Sequence, residues 1–139
     1  MKKIVLLSCV SKKRPAKTKA EDLYCSTLFK LSLTFAKRLA PDHIFILSAK
    51  YGLVRLDDMI EPYDTTLNDM TKQDRKQWAD SVLRQLKETV DCEEDHFIIL
   101  AGSKYRQYLI PALVSYEIPL AGQTIGKQLQ RLKKEVNHA

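Results

Sequence analysis

The chain has 139 residues, 45% of them hydrophobic and 29% charged, which fits a single domain spanning 1–139 and excludes disorder as its main state. Its formal net charge of +6 favours an anionic partner. The longest apolar runs, Ile4–Leu7 and Phe97–Ala101, fall far short of the ~18 residues a membrane span requires. Three cysteines without a C-x-x-C spacing and without an apolar leader point to free thiols in a cytoplasmic protein.

Taken in chain order, Lys3–Leu7 reads as a first strand, an aliphatic run without polar interruption, as a strand buried on both faces requires. It ends at Ser8-Cys9. Residues 1–20 carry seven basic side chains and no acid, and five of the seven (Lys12, Lys13, Arg14, Lys17 and Lys19) fall in Ser11–Lys19, an expected loop. Glu21 and Asp22 suit the positive end of a helix whose stripe is Tyr24, Leu28, Leu31, Phe35 and Leu39, closed by Pro41-Asp42. His43–Ser48 is a second buried strand. Ala49–Met70 has no periodic pattern and reads as one long irregular stretch. Thr71 and Asp74 form a capping pair for a helix carrying Trp78, Val82, Leu86 and Val90. His96–Ala101 is a third strand, followed through Gly102 by a helix with Tyr105, Tyr108 and Leu109 that Pro111 interrupts. Tyr116–Leu120 is a shorter fourth strand, and Ile125, Leu129, Leu132 and Val136 mark a terminal amphipathic helix.

This alternation predicts an α/β protein of three layers, with a central, mainly parallel sheet of about four strands and helices on both faces. Ligands bind beyond the carboxyl ends of such strands, and here those ends are Ser8-Cys9, Ser48-Ala49-Lys50 and Ala101-Gly102. Lys50 and Asp64 are the expected catalytic pair, a cation at a strand end and a carboxylate stiffened by Pro62 that positions a water. Ser8 and Cys9 open onto the basic loop, where positive charge favours a thiolate, although no histidine lies nearby in sequence and no G-x-S-x-G elbow is present. Tyr51 and Tyr63, with Gly102 and Tyr105, are the expected base-holding residues. Lys12, Lys13, Arg14 and Lys17 suit a phosphate backbone. Gly126 and Lys127 close a G-x-x-x-G-K run, one residue shorter than a Walker loop, which leaves phosphate binding at a helix start or an ordinary turn. Metal binding and a cofactor are not expected: His43 and His96 begin strands at the opposite end, and His138 lies in the terminal tail.

Tyr51–Asp64 resembles the Y-G-L-L-R-P-L-D-L-I-x-P-Y-R stretch of the YaaA peroxide-stress proteins, with Asp64 where that family has arginine. Nearly the full length is similar to a group of short bacterial and phage proteins with the pattern S-C-x-x-K-K, D-L-Y-x-S-x-L-F, S-A-K-Y-G-L, P-Y-D-x-T-L, A-G-x-x-Y and G-x-x-I-G-x-Q-L. These segments are Ser8–Lys13, Asp22–Phe29, Ser48–Leu53, Pro62–Leu67, Ala101–Tyr105 and Gly122–Leu129 here. Cys9…Lys13 is also similar to the P-C-S-x-x-K-P-Y segment of archaeosine synthases, where a lysine attacks a modified base. The likeness to YaaA implies DNA binding and the limiting of oxidative DNA damage. The resulting expectation is a nucleic-acid-processing protein, on DNA rather than RNA, that cleaves the N-glycosidic bond of a modified or damaged base. Its rivals are a non-catalytic nucleic-acid-binding module and an enzyme on free nucleosides or nucleotides.

Overall fold

The computed structural model describes residues 1–137; His138 lies outside the described residues. The main sheet is built around β1 (Lys3–Ser8), whose Ile4, Val5, Leu6 and Leu7 are wholly buried. It is flanked in parallel by β3 (His43–Ser48) and β6 (His96–Leu100). β4 (Gly52–Arg55) adds antiparallel to β3 at one edge, and β7 (Ser115–Glu117) adds parallel to β6 at the other. The order is β4-β3-β1-β6-β7, five strands rather than about four. β1 lies in the middle because its uninterrupted aliphatic run can be covered on both faces.

The connection from β1 to β3 runs one way along the sheet and that from β3 to β6 runs the other. Right-handed crossovers then put their helices on opposite faces. α2 (Thr27–Arg38) covers one face and packs on β1 and on the terminal helix α5 (Ile125–Asn137). α3 (Lys72–Lys87) covers the other, against β4 and the short helix α4 (Ser103–Arg106). No described helix is long and apolar enough to cross a membrane.

Several expected boundaries differ. The helix expected from Glu21 is two helices, α1 (Ala20–Leu23) and α2, because Tyr24 is extended and residues 12–14 pair with residues 23–25. Arg14 N donates to Leu23 O at 2.9 Å and Cys25 N to Lys12 O at 3.0 Å. Ser26 restarts the helix, its hydroxyl accepting from Phe29 N at 3.1 Å. The stretch Ala49–Met70 is not irregular throughout. It makes β4 and then β5 (Met59–Ile60), which forms a two-stranded antiparallel ribbon with β2 (Thr18–Lys19). That ribbon orders the end of the basic segment. The fourth parallel strand is Ser115–Glu117 rather than Tyr116–Leu120. Thr71 caps α3 as expected, accepting from Asp74 N at 3.1 Å.

Candidate functional site

The carboxyl ends of β1 and β3 meet because the strands are adjacent and parallel, with Ser8 beside Leu47. Over them lies a hydrogen-bonded cluster of tyrosines. The Ser48 hydroxyl accepts from Tyr51 N at 3.0 Å and donates to Tyr63 Oη at 2.7 Å, and Tyr63 Oη is 2.6 Å from Tyr24 Oη. Trp78 Nε1 donates to Ser48 O at 2.9 Å, tying α3 to the same strand end. Burial pushes the Tyr24 phenol up to about 12 and raises Tyr63 further, with the neighbouring Cys9 adding to the latter. Burial also takes Tyr105 up to about 12. A buried phenolate would lose its hydration without a cation in hydrogen-bond contact, so these groups stay neutral donors and acceptors.

Beside this cluster is a cleft of about 380 Å³ lined by Cys9, Lys13, Tyr63, Asp64, Thr66 and Tyr105, among others. Lys13 is half-buried, its Nζ 4.4 Å from the Tyr63 ring centroid and 5.8 Å from that of Tyr24. It reaches this position because residues 12–14 are stitched to residues 23–25. The ammonium over a ring face is a favourable cation–π contact, and it leaves the nitrogen at the cleft with only a long contact, 3.4 Å, to Ser11 O. Asp64 is exposed at the same cleft. Cys9 is buried; its N–H donates to Leu47 O at 3.0 Å and its thiol to Tyr105 Oη at 3.4 Å.

The expected pairing of Lys50 with Asp64 is not what the structure brings together. Lys50 lies on the far side of Tyr51, its Nζ 5.3 Å from that ring centroid, and lines a separate groove with Trp78 and Gln85. The lysine that shares a cleft with Asp64 is Lys13. Tyr63 is an internal support: its hydroxyl is engaged, Lys13 covers its ring and Tyr51 meets it edge-on at 5.6 Å. Tyr51 is half-buried and donates weakly to Glu61 O at 3.5 Å. Ser8 is half-buried at the end of β1 and donates to Cys9 O. Gly102 is exposed, with open space where a Cβ would lie. Lys12, Arg14 and Lys17 are exposed, and neither they nor Lys13 makes a salt bridge among the described residues. Gly126 and Lys127 lie on the first turn of α5. There Lys127 N donates to Thr124 Oγ1 at 3.3 Å, and the Lys127 side chain lines a shallow groove with Arg131 and Lys134, away from the Lys13 cleft.

A second concavity, about 250 Å³, opens on the other side of Cys9 and Val10, between α2, α5 and the end of β6. Arg106 lines it, its Nη1 donating to Ala101 O at 2.7 Å. Sequence reasoning missed Arg106, Thr65, Thr66 and Asn68. The threonines follow Pro62-Tyr63-Asp64 directly, so attention to the whole segment rather than its charged member would have found them. Arg106 carries no local signal. Five of the six segments quoted for the resemblance line these two concavities, and the sixth, Ser48–Leu53, reaches them only through the Ser48 hydrogen bond to Tyr63. Among the described residues no three of His, Cys, Asp and Glu gather as a metal site.

The profile of a family of unknown function, DUF6884, matches residues 4–134. The chain belongs to that family. It is also 31% identical over 147 aligned positions to the uncharacterised protein YfjM of Bacillus subtilis (strain 168), covering 98% of this chain and 96% of that one. No solved structure matches it. The two DUF6884 clefts therefore stand on their own geometry.

Proposed function

We propose that this DUF6884 chain is a cytosolic nucleic-acid-processing protein that acts on a modified or damaged base in DNA, cleaving its N-glycosidic bond. The observation that supports this most is that Lys13 and Asp64 line one cleft at the carboxyl end of the central strand. The Asp64 carboxylate takes a proton from a water that attacks C1′. The bond to the base breaks with its electron pair on the base nitrogen, which takes a proton from the Lys13 ammonium. The products are a hydroxyl-bearing sugar and the free base; solvent then takes the proton from Asp64 and returns one to Lys13. A base must leave its stack to reach such a cleft. Lys12, Arg14 and Lys17 hold the backbone beside it. The likeness of Tyr51–Asp64 to the YaaA proteins supports a DNA substrate.

The test is incubation with duplexes carrying a broad panel of modified bases, read as released base and abasic sites. Release is expected, lost in Asp64→Asn and Lys13→Met and retained in Lys50→Ala. A protein that binds DNA but releases nothing across the panel refutes the reaction. One rival reading has an observation in its favour: the basic side chains without ion-pair partners suit a non-catalytic nucleic-acid-binding module. In that case binding survives Asp64→Asn unchanged and no product forms with any substrate.

A further inference from the structure

We infer that the cleft between α2, α5 and the end of β6 binds a small flat ring that presents two adjacent hydrogen-bond acceptors on its rim. The location is the first reason. β1 sends its crossover one way to β3, while β6, on its other side, continues to β7. The crevice between the ends of β1 and β6 is therefore the switch point of the sheet, where open α/β folds take ligands. Ser8 and Gly102 mark its two sides. Size is the second reason. At about 250 Å³ the cleft is smaller than the ~300–1,000 Å³ of drug-sized sites, so it fits one ring system and excludes a dinucleotide.

The lining chooses the chemistry. Phe29, Leu28, Ile99, Leu100, Ile118 and Leu120 give apolar walls that suit the faces of a ring. Of the polar side chains among them, Ser8 and Gln128 already donate within the chain, to Cys9 O and Gln123 O, which leaves two. Ser32 lies on the buried face of α2, only 6% exposed, and its hydroxyl lines the cleft without a hydrogen bond to any described residue. That hydroxyl can donate to or accept from a ring edge in the cleft. Arg106 is the second. Its bond to Ala101 O fixes the guanidinium at the cleft and leaves most of its five N–H donors for a ligand. The planar fork of arginine matches paired acceptors. A ring carboxylate and the O6/N7 edge of a 6-oxopurine both offer them. The site shares Cys9 and Val10 with the Lys13 cleft but needs none of the chemistry proposed there. A chain that binds the ring and breaks no bond keeps this site and loses that function.

Calorimetric titration with guanosine, nicotinate, adenosine and nicotinamide tests it, since the last two lack the paired acceptors. Guanosine or nicotinate should bind, and whichever does identifies the source of the pair. The matching ring without the pair should bind at least about tenfold more weakly, the scale of one charge-assisted hydrogen bond. Arg106→Leu should cost a similar factor. Ile125→Trp puts bulk at the mouth, at a position already 65% exposed, so it should block binding while leaving the fold intact. If none of the four compounds binds, if guanosine and adenosine bind equally, or if binding survives both substitutions, the inference falls.

Discussion

Three of the six tyrosines are spent on structure, and their ionisation is a readout of the fold. Tyr24, Tyr63 and Tyr105 all have phenols raised above the ordinary value of 10.0, chiefly by burial. Between pH 10 and the raised values the unfolded chain has released protons that the folded chain still holds, so stability is full below about pH 10 and falls as the pH rises above it. A spectrophotometric alkaline titration should therefore show part of the tyrosinate absorbance delayed and arriving together with loss of helical circular dichroism. Tyrosinate absorbance that is complete while the fold persists would contradict the buried cluster. At the opposite end of the sheet Asp95, 5% exposed, clamps the start of β1 and the turn before β6. Its carboxylate accepts from Lys2 N at 2.8 Å and Asp91 N at 2.9 Å. Burial alone would raise its pKa, but the two N–H donors and the Lys2 charge outweigh burial and hold it below the usual range. Its contribution is present above the ordinary carboxylate value of about 4 and fades as acid takes the pH down through the lower, folded value. Asp95→Ala should cost about 2 kcal/mol in urea unfolding at neutral pH, the scale of hydrogen bonds to a charged acceptor. The gap from wild type should shrink in acid.

Among the elements, the hairpin from β3 into β4 turns on Gly52. Its φ is +77°, and a Cβ there would meet the Gln85 side chain, whose Oε1 accepts from Leu53 N at 2.9 Å. Gly52→Ala should destabilise by about 2 kcal/mol, most of it the left-handed backbone strain. The cost should drop in a Gln85→Ala background because the collision is then absent, which a double-mutant cycle measures directly. Equal costs in the two backgrounds would mean that Gln85 moves aside freely. The same hairpin shows what was legible beforehand. β1, β3 and β6 were readable because burial on both faces demands a continuous aliphatic run, and Ile4–Leu7, Phe45–Leu47 and Phe97–Leu100 are buried accordingly. β4 was not. It is an edge strand of four residues with Leu53 half-buried and Arg55 exposed, so its alternation is too short to separate from a loop. The split between α1 and α2 was hidden for another reason. Tyr24 fits a helical stripe, and only backbone pairing with residues 12–14 pulls it out.

At the scale of the whole molecule, the switch of lysines carries the same lesson. Alternation predicted parallel strands, and the adjacency of β1 and β3 in the structure puts Ser8, Cys9 and Ser48 at one end of the sheet. Which lysine meets Asp64 did not follow, because it depends on how two loops fold back, through N–H···O bonds that any residue can make. The segment that supplies Lys13 also carries Lys12, Arg14, Lys17 and Lys19, which are exposed and make no salt bridge among the described residues. If all four contact phosphates, log K for duplex DNA should fall with log salt at a slope of about −0.9 per contact, roughly −3 to −4 in total. Replacing Lys12, Arg14 and Lys17 together with glutamine should flatten the slope by about 3 and weaken all sequences alike. These side chains are on the surface, so melting should be unchanged. A slope that stays steep in the triple variant would move the polyanion to another face, such as the Lys127, Arg131 and Lys134 groove on α5. A flat slope in the unsubstituted protein would remove nucleic acid as the partner.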